Sequence, residues 1–120
     1  PGGFAILSGD DSLTLTMLSV GAVGVISVVA NVAPQAMTEM VAAWDQGDAQ
    51  KARRIHLQFF SLARVLFIET NPGPVKWALT RFGKISSSEV RVPLAEIDPA
   101  NRSKVEQAMA DAGLLDRAAA

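Results

Sequence analysis

The sequence lacks cysteine and tyrosine and contains a single histidine, His56. Without cysteine, neither a disulfide framework nor a thiolate nucleophile is available, and a reducing cytoplasm is the expected compartment. Without tyrosine, a mechanism that needs a phenolic proton donor cannot run on these residues alone. These absences exclude thiol chemistry and leave carboxylates, lysines and a serine as the main candidate catalytic groups.

Length, charge and hydropathy narrow the class of protein further. A complete (β/α)8 barrel needs about 200 residues, and this chain has 120. Eleven basic and twelve acidic residues give a net charge of −1, so neither a nucleic acid nor a membrane surface is an expected partner. The most apolar segment, Val20 to Val32, is broken by glycine and polar residues and is too short to cross a bilayer. The opening Pro1-Gly2-Gly3 is interpreted as a loop and not as part of a signal peptide.

Two short apolar, β-branched segments predict a pair of parallel strands. The first is Phe4–Ser8 and the second is Val25–Val29, with a segment of helical spacing between them. Asp11 or Ser12 is expected to cap that helix. Continuous apolar strands of this kind are typical of parallel sheets that are buried on both faces. The predicted fold class is therefore α/β, with the chain opening on the last two β/α units of a TIM barrel.

The middle of the chain predicts two long helices. Pro34 suits the first turn of a helix that Gly47 ends, and Asp48 is expected to cap the longest helix, Ala49–Ile68. Apolar side chains recur every three or four residues along both helices, which predicts a buried face on each. The residues in these rows are Met37, Met40, Val41 and Trp44, then Ala52, Ile55, Phe59, Leu62 and Leu66, with a second row at Phe60, Ala63 and Phe67.

The last part of the chain predicts two shorter helices and an extended connection. Val75–Phe82 follows Pro74, and Asp98-Pro99 begins a helix that Gly113 ends, with Val105, Met109 and Ala112 facing inward. Lys84–Ile97 is expected to be extended, and the chain to close in a polar, disordered tail. We therefore expect a partial barrel in residues 1–33, followed by the end of the barrel and a C-terminal helical domain in residues 34–120.

Adjacent carboxylates follow the first predicted strand. Asp10 and Asp11 could bind a metal or divide acid and base roles, or they could cap the helix and shape the loop, which the absence of further ligands favours. Gly9 would allow a close approach to a ligand or a positive φ angle. Ser27 could point into a barrel but has no histidine base nearby, because His56 is expected on a solvated helix face among arginines.

Four lysines are the candidates for Schiff-base chemistry, which needs a desolvated amine near a strand end. Lys51, Lys84 and Lys104 have polar neighbours and are interpreted as surface charges. Lys76 lies beside Trp77 and is the one that could be partly buried. A role in bridging helices is the interpretation that we prefer for it.

Three stretches of the sequence carry a family resemblance: Leu7-Ser8-Gly9-Asp10-Asp11, Gly24 to Pro34, and Phe67 to Lys76 with its Asn71-Pro72-Gly73-Pro74 turn. Together they resemble the dihydrodipicolinate synthases, also called 4-hydroxy-tetrahydrodipicolinate synthases. Arg91-Val92-Pro93-Leu94 and the closing Ala112 to Leu115 are similar to the last segment of that family. The related N-acetylneuraminate lyases rank second, after the dihydrodipicolinate synthases, as the family that the sequence resembles.

The resemblance implies a cytoplasmic lyase of lysine (diaminopimelate) biosynthesis. In that family, pyruvate forms a Schiff base with a lysine on the sixth barrel strand, and the enamine attacks aspartate 4-semialdehyde. This chain would supply the seventh and eighth strands and the C-terminal helices of a homo-oligomer, a dimer or a tetramer, that needs no cofactor or metal. Phe59, Phe60 and Phe67 would pack the helices onto the barrel or a neighbouring subunit.

Few of the family's functional residues match positions in this chain. Gly9, Asp10 and Asp11 match the loop that lines the substrate site, and Ile26 matches the residue whose backbone carbonyl lies near the Schiff base. The lysine, the tyrosines, the threonine pair that binds pyruvate and the entrance arginine would all precede Pro1. A truncated chain of this kind is expected to be inactive alone. The alternatives are a non-catalytic assembly scaffold built on helices Pro34–Ile68, or a piece that complements an N-terminal partner.

Overall fold

The computed structural model describes residues 3–115. The predicted Pro1-Gly2 loop and the predicted tail after Leu115 lie outside these residues. The chain divides into two compact units between Phe60 and Ser61. The sequence predicts a different boundary, between a partial barrel that ends at residue 33 and a helical domain that begins at residue 34. That boundary stays a prediction.

The first unit opens with two parallel strands joined by a helix, as the sequence predicts. Strand β1 is Leu7–Ser8, helix α1 is Thr14–Ser19 and strand β2 is Gly24–Val25. Leu7 pairs with Gly24 and Ser8 with Val25. Both strands are shorter than predicted. After β2, the chain forms a 3-10 helix, Val29–Asn31, instead of continuing the ladder.

The predicted burial of the strands on both faces is wrong for this chain. Phe4 is 97% exposed, and Ile6 and Leu7 are each about half exposed. The sheet of the described residues has two strands, so these side chains have few neighbours to cover them. Ser8, in contrast, is buried.

The start of the first helical segment also differs from the prediction. A 3-10 helix, Asp11–Leu13, precedes α1, and its N-cap is Asp10 instead of Asp11 or Ser12. This extra turn changes the face that points inward. Thr14 and Leu18 are buried, whereas Leu13 and Val20, which the helical spacing of the sequence places on one face with Met17, are 52% and 75% exposed.

The long helices follow the local signals in the sequence closely. Helix α2 is Pro34–Asp45, with Pro34 in its first turn. Gly47 has a φ of +82°, a conformation that ends helices and strains other residues. The Asp48 side chain accepts a hydrogen bond from the Lys51 backbone N–H at 2.8 Å, which confirms the predicted cap.

Helix α3 is Ala49–Val65 and is three residues shorter than predicted. Its first apolar row is largely buried, whereas Phe60 and Phe67 of the second row are nearly half exposed. The confirmed core residues of α2, α3 and the turn after it are Met37, Met40, Ala52, Phe59, Leu62, Ala63 and Leu66.

In the second unit, helix α4 (Gly73–Arg81) packs against helix α5 (Pro99–Asp111). The Asp98 side chain accepts from the Ala100 backbone N–H at 2.7 Å, and Pro99 occupies the first turn, as predicted. Val105, Met109 and Ala112 are buried as predicted. The connection between the two helices contains no helix or strand. None of the helices in residues 3–115 combines the length and the apolar character that a bilayer span requires.

Candidate functional site

The carboxyl ends of β1 and β2 lie side by side. The strands are parallel and paired in register, so Gly9 and Ile26 both leave the sheet at the same edge. The Ile26 backbone N–H donates to the Ser8 carbonyl at 2.8 Å, which extends the pairing by one bond. This arrangement brings the four predicted site residues, Gly9, Asp10, Asp11 and Ile26, to one strand-end edge.

Asp10 organises the loop that follows β1. Its Oδ1 accepts from the backbone N–H and from the hydroxyl of Ser12, both at 2.7 Å. Its backbone carbonyl accepts from the Ser8 hydroxyl at 2.8 Å and from the Thr14 hydroxyl at 2.9 Å. Asp10 itself is exposed at the edge of the sheet. The structure therefore shows the capping and loop-shaping role for this residue.

Asp11 points in a different direction and is buried, with only 5% of its surface exposed. Its Oδ1 accepts a hydrogen bond from the Ser27 hydroxyl, and its Oδ2 accepts from the backbone N–H groups of Val28 at 2.9 Å and Val29 at 3.1 Å. All three donors follow β2, so the carboxylate links the loop after β1 to the turn after β2. The two adjacent aspartates are thus separated in space and in role, as neighbours on an extended chain should be.

The Ser27 hydroxyl both donates and accepts a hydrogen bond within this link. The hydroxyl donates to Asp11, and its oxygen accepts from the Ala30 backbone N–H at 2.8 Å. A serine nucleophile would have to give its proton to a base that is free to pass it on. The geometry around Ser27 is that of a structural hydroxyl.

Gly9 and Ile26 border open space at the strand-end edge. A Cβ atom placed on Gly9 would meet nothing within 4 Å, so the loop leaves room beside its backbone. Gly9 does not have a positive φ, so that part of the expectation for it is wrong. The Ile26 side chain is 70% exposed.

His56 is not on a fully solvated helix face. It is half-buried, and its ring lies edge-on to the Phe60 ring with 5.6 Å between centroids. This burial lowers the pKa of His56 below its ordinary value, because desolvation disfavours the imidazolium. The neighbouring Arg53 and Arg54 are exposed, as expected.

Lys76 bridges a helix and a loop, and so the prediction that it links two helices is wrong. Its Nζ donates to the Glu89 backbone carbonyl, which anchors the extended connection to α4. The lysine is half-buried beside this connection. This hydrogen bond to a backbone carbonyl gives it a structural role in the second unit.

One carboxylate with a structural role escaped the sequence analysis. Glu69 accepts from the Asp98 backbone N–H at 3.0 Å and from the Asn101 side-chain amide at 2.8 Å. It therefore ties the turn after α3 to the start of α5. Its partners lie about thirty residues away, and no local pattern could have indicated the contact. Among the described residues, no group of three or more histidine, cysteine, aspartate or glutamate side chains is placed to hold a metal ion.

Comparison with known proteins identifies the family. A sequence profile of the dihydrodipicolinate synthetase family matches residues 1–112. The chain belongs to the dihydrodipicolinate synthetase family. A relative from Thermomicrobium roseum named 4-hydroxy-tetrahydrodipicolinate synthase is 53% identical over 106 residues, which are 88% of this chain and 35% of the relative. The chain thus spans little more than a third of that family member.

Solved structures of the family agree with this membership. The 4-hydroxy-tetrahydrodipicolinate synthase of Methylacidiphilum fumariolicum SolV superposes with a TM-score of 0.90 at 45% identity, over 94% of this chain and 37% of that protein. The chloride-inhibited dihydrodipicolinate synthase of Acinetobacter baumannii, solved in complex with pyruvate, gives a TM-score of 0.87 at 39% identity, over 93% of this chain and 38% of that protein. The described fold is mostly helical with one pair of strands, and it matches a part of each of these enzymes.

Proposed function

We propose that this chain is the C-terminal part of a 4-hydroxy-tetrahydrodipicolinate synthase, which condenses pyruvate with aspartate 4-semialdehyde. The observation that carries the proposal is the strand-end edge, where the residues that resemble the family's substrate loop, Gly9 to Asp11, lie beside Ile26. Family membership and the pyruvate bound to the A. baumannii relative support the substrate class. In this proposal, β1 and β2 are the seventh and eighth strands of a TIM barrel.

The residues at this edge would shape the site without forming the covalent bond. The Gly9 backbone leaves room for a substrate, Asp10 is exposed to it, and the Ile26 carbonyl would lie near the Schiff base. A lysine on the sixth strand, outside these 120 residues, would form that Schiff base and release water. The resulting enamine carbon would then attack the aldehyde carbon, with protons moved by tyrosines that this chain does not contain.

A barrel site needs side chains that converge from several strand ends, and two strands supply only a part of them. We therefore expect the 120-residue chain to be inactive alone. The exposed side chains of β1 and of the segment before it, Phe4, Ile6 and Leu7, are where the remaining strands and helices would pack. Assembly into a homo-oligomer is part of the same proposal.

A chimera tests the proposal. The 106 residues of the T. roseum synthase that match this chain are replaced by the corresponding residues of this chain. We expect condensation of pyruvate with aspartate 4-semialdehyde at a rate within about tenfold of the T. roseum enzyme, because the catalytic lysine is retained and the strand ends are preserved. A folded chimera that traps pyruvate but does not condense the two substrates would contradict the assignment.

Borohydride trapping separates the role of this chain from that of the missing part. The 120-residue chain is incubated with pyruvate and borohydride, which converts any Schiff base into a stable adduct. We expect its intact mass to stay at 12.7 kDa, whereas the chimera gains one adduct. An adduct on the isolated chain would show that this chain contains a reactive lysine. The Lys76→Ala variant would then show whether the half-buried Lys76 carries the adduct.

A further inference from the structure

The turn after β2 begins a 3-10 helix whose own N-cap residue cannot cap it. Val28 occupies that position, and a valine side chain accepts no hydrogen bond. The backbone N–H groups of Val28 and Val29 donate to the Asp11 carboxylate instead, at 2.9 and 3.1 Å. Two backbone donors of this turn are therefore capped from the loop after the neighbouring strand, while a third, the Ala30 N–H, donates to the Ser27 hydroxyl oxygen at 2.8 Å.

We propose that Asp11 is a positioning residue that holds the Ile26–Ser27 peptide, and with it the Ile26 backbone carbonyl, at the strand-end edge. This inference rests on the proposed function, in which that carbonyl lies beside the reacting pyruvate. On its amino side, Ile26 is held by the hydrogen bond from its N–H to the Ser8 carbonyl, at 2.8 Å. On its carboxyl side, the hydroxyl of Ser27 is held by Asp11.

The carboxylate is suited to this role by its burial and its partners. Three donors converge on its two oxygens while only 5% of the residue is exposed. Hydrogen bonds to an ionised acceptor are stronger than neutral ones, and removal from water strengthens them further. The turn is thereby fixed by a side chain that is directed away from the open edge, whereas the adjacent Asp10 is exposed there.

Two substitutions of Asp11 in the chimera distinguish positioning from proton transfer. Asp11→Ala removes all three hydrogen bonds, and we expect kcat to fall about 100-fold with the pyruvate KM within about threefold, since a misplacement of about 1 Å can cost that much. Asp11→Asn keeps an oxygen for the two backbone donors, and its amide can donate to the Ser27 hydroxyl oxygen. We expect its kcat within about fivefold of the unsubstituted chimera.

A matched control removes another capping aspartate. Asp48 caps α3 through the Lys51 backbone N–H and lies far along the chain from the strand ends, and Asp48→Ala should leave kcat unchanged. Hydrogen–deuterium exchange of the peptide that covers residues 26–30 gives a readout that does not depend on activity. We expect faster exchange there in Asp11→Ala, near-normal exchange in Asp11→Asn and no change in Asp48→Ala.

Each outcome decides the proposal. An unchanged kcat in Asp11→Ala would overturn it, and so would an Asp11→Asn variant as inactive as Asp11→Ala, because the carboxylate would then act through its charge or its proton. If the unsubstituted chimera is folded and inactive, the proposed function fails. The exchange experiment then still tests whether Asp11 holds the turn after β2. Unchanged exchange of residues 26–30 in Asp11→Ala would show that Asp11 does not hold the turn.

Discussion

The strands at the start of this chain and the helices that follow them differ in how well they bury their apolar side chains. Near the strands, Phe4, Val20 and Ile26 are 97%, 75% and 70% exposed. In the helical part, Leu62, Leu66 and Met109 are fully buried. Burial of apolar surface is the main source of stability. The buried helix residues thus have their packing partners within this chain, whereas the proposed function places the partners of the strands in other parts of a synthase.

The largest effect that this comparison predicts is the loss of a core leucine. Leu66→Ala empties a fully buried position, and we expect it to lower the free energy of unfolding by about 3 kcal/mol. Leu13→Ala, at a half-exposed position near the strands, is the matched control and should cost less than about 1 kcal/mol. Urea unfolding of the 120-residue chain, followed by circular dichroism, measures both.

Equal losses of unfolding free energy from the two leucine substitutions would contradict this difference in burial, because the exposed position would then be packed as tightly as the core. In the chimera we expect the cost of Leu13→Ala to rise if the remaining part of the enzyme covers that side chain. The same unfolding measurement on the chimera therefore reports whether the exposed positions near the strands gain neighbours.

A smaller effect is expected for the carboxylate that joins the turn after α3 to the start of α5. Glu69→Ala removes the acceptor for the Asp98 N–H and the Asn101 amide, and it should cost about 1–2 kcal/mol. In a double-mutant cycle with Asn101→Ala, we expect a coupling energy of about 0.5–1 kcal/mol between the two residues. A coupling energy near zero would show that the side-chain contact adds nothing to stability.

The smallest effect is predicted for the exposed ion pair between α4 and α5. The Arg81 Nε lies 2.8 Å from the Glu106 Oε1, with both side chains about half exposed. Exposed pairs of this kind contribute little, so Arg81→Gln should change the free energy of unfolding by at most about 0.5 kcal/mol. Raising the salt concentration should remove even that difference, and a loss that persists in 1 M salt would point to packing by the arginine stem.

Local sequence signals predicted the helices well and the strand ends poorly. Pro34, Asp48 and Asp98 each act on backbone groups within a few residues, so their positions in the sequence were enough to locate α2, α3 and α5. The turn after β2 donates its hydrogen bonds to Asp11, and these partners lie sixteen to eighteen residues away. A neighbouring pair of aspartates gives no sign of which one turns inward.

The candidate site was predicted only as far as the family resemblance reached. The resemblance selected Gly9, Asp10, Asp11 and Ile26, and the structure brings these residues to one edge of the sheet. Their roles at that edge stay predictions. The pairing of Asp11 with Ser27 could not be foreseen, because it requires the register of two strands and the path of the helix between them.

The hydrogen bond from Ser27 to Asp11 closes a ring of the chain that contains α1. The far end of this ring, where α1 returns to β2, is exposed at Ser19, Val20 and Gly21. Both ends of the ring are anchored at the opposite, strand-end edge. Residues inserted between α1 and β2 would therefore lengthen this connection without moving the anchored ends. Loop closure costs rise only slowly with added length. The return after α1 is therefore a suitable place to insert a tag, a reporter or a further domain into the 120-residue chain.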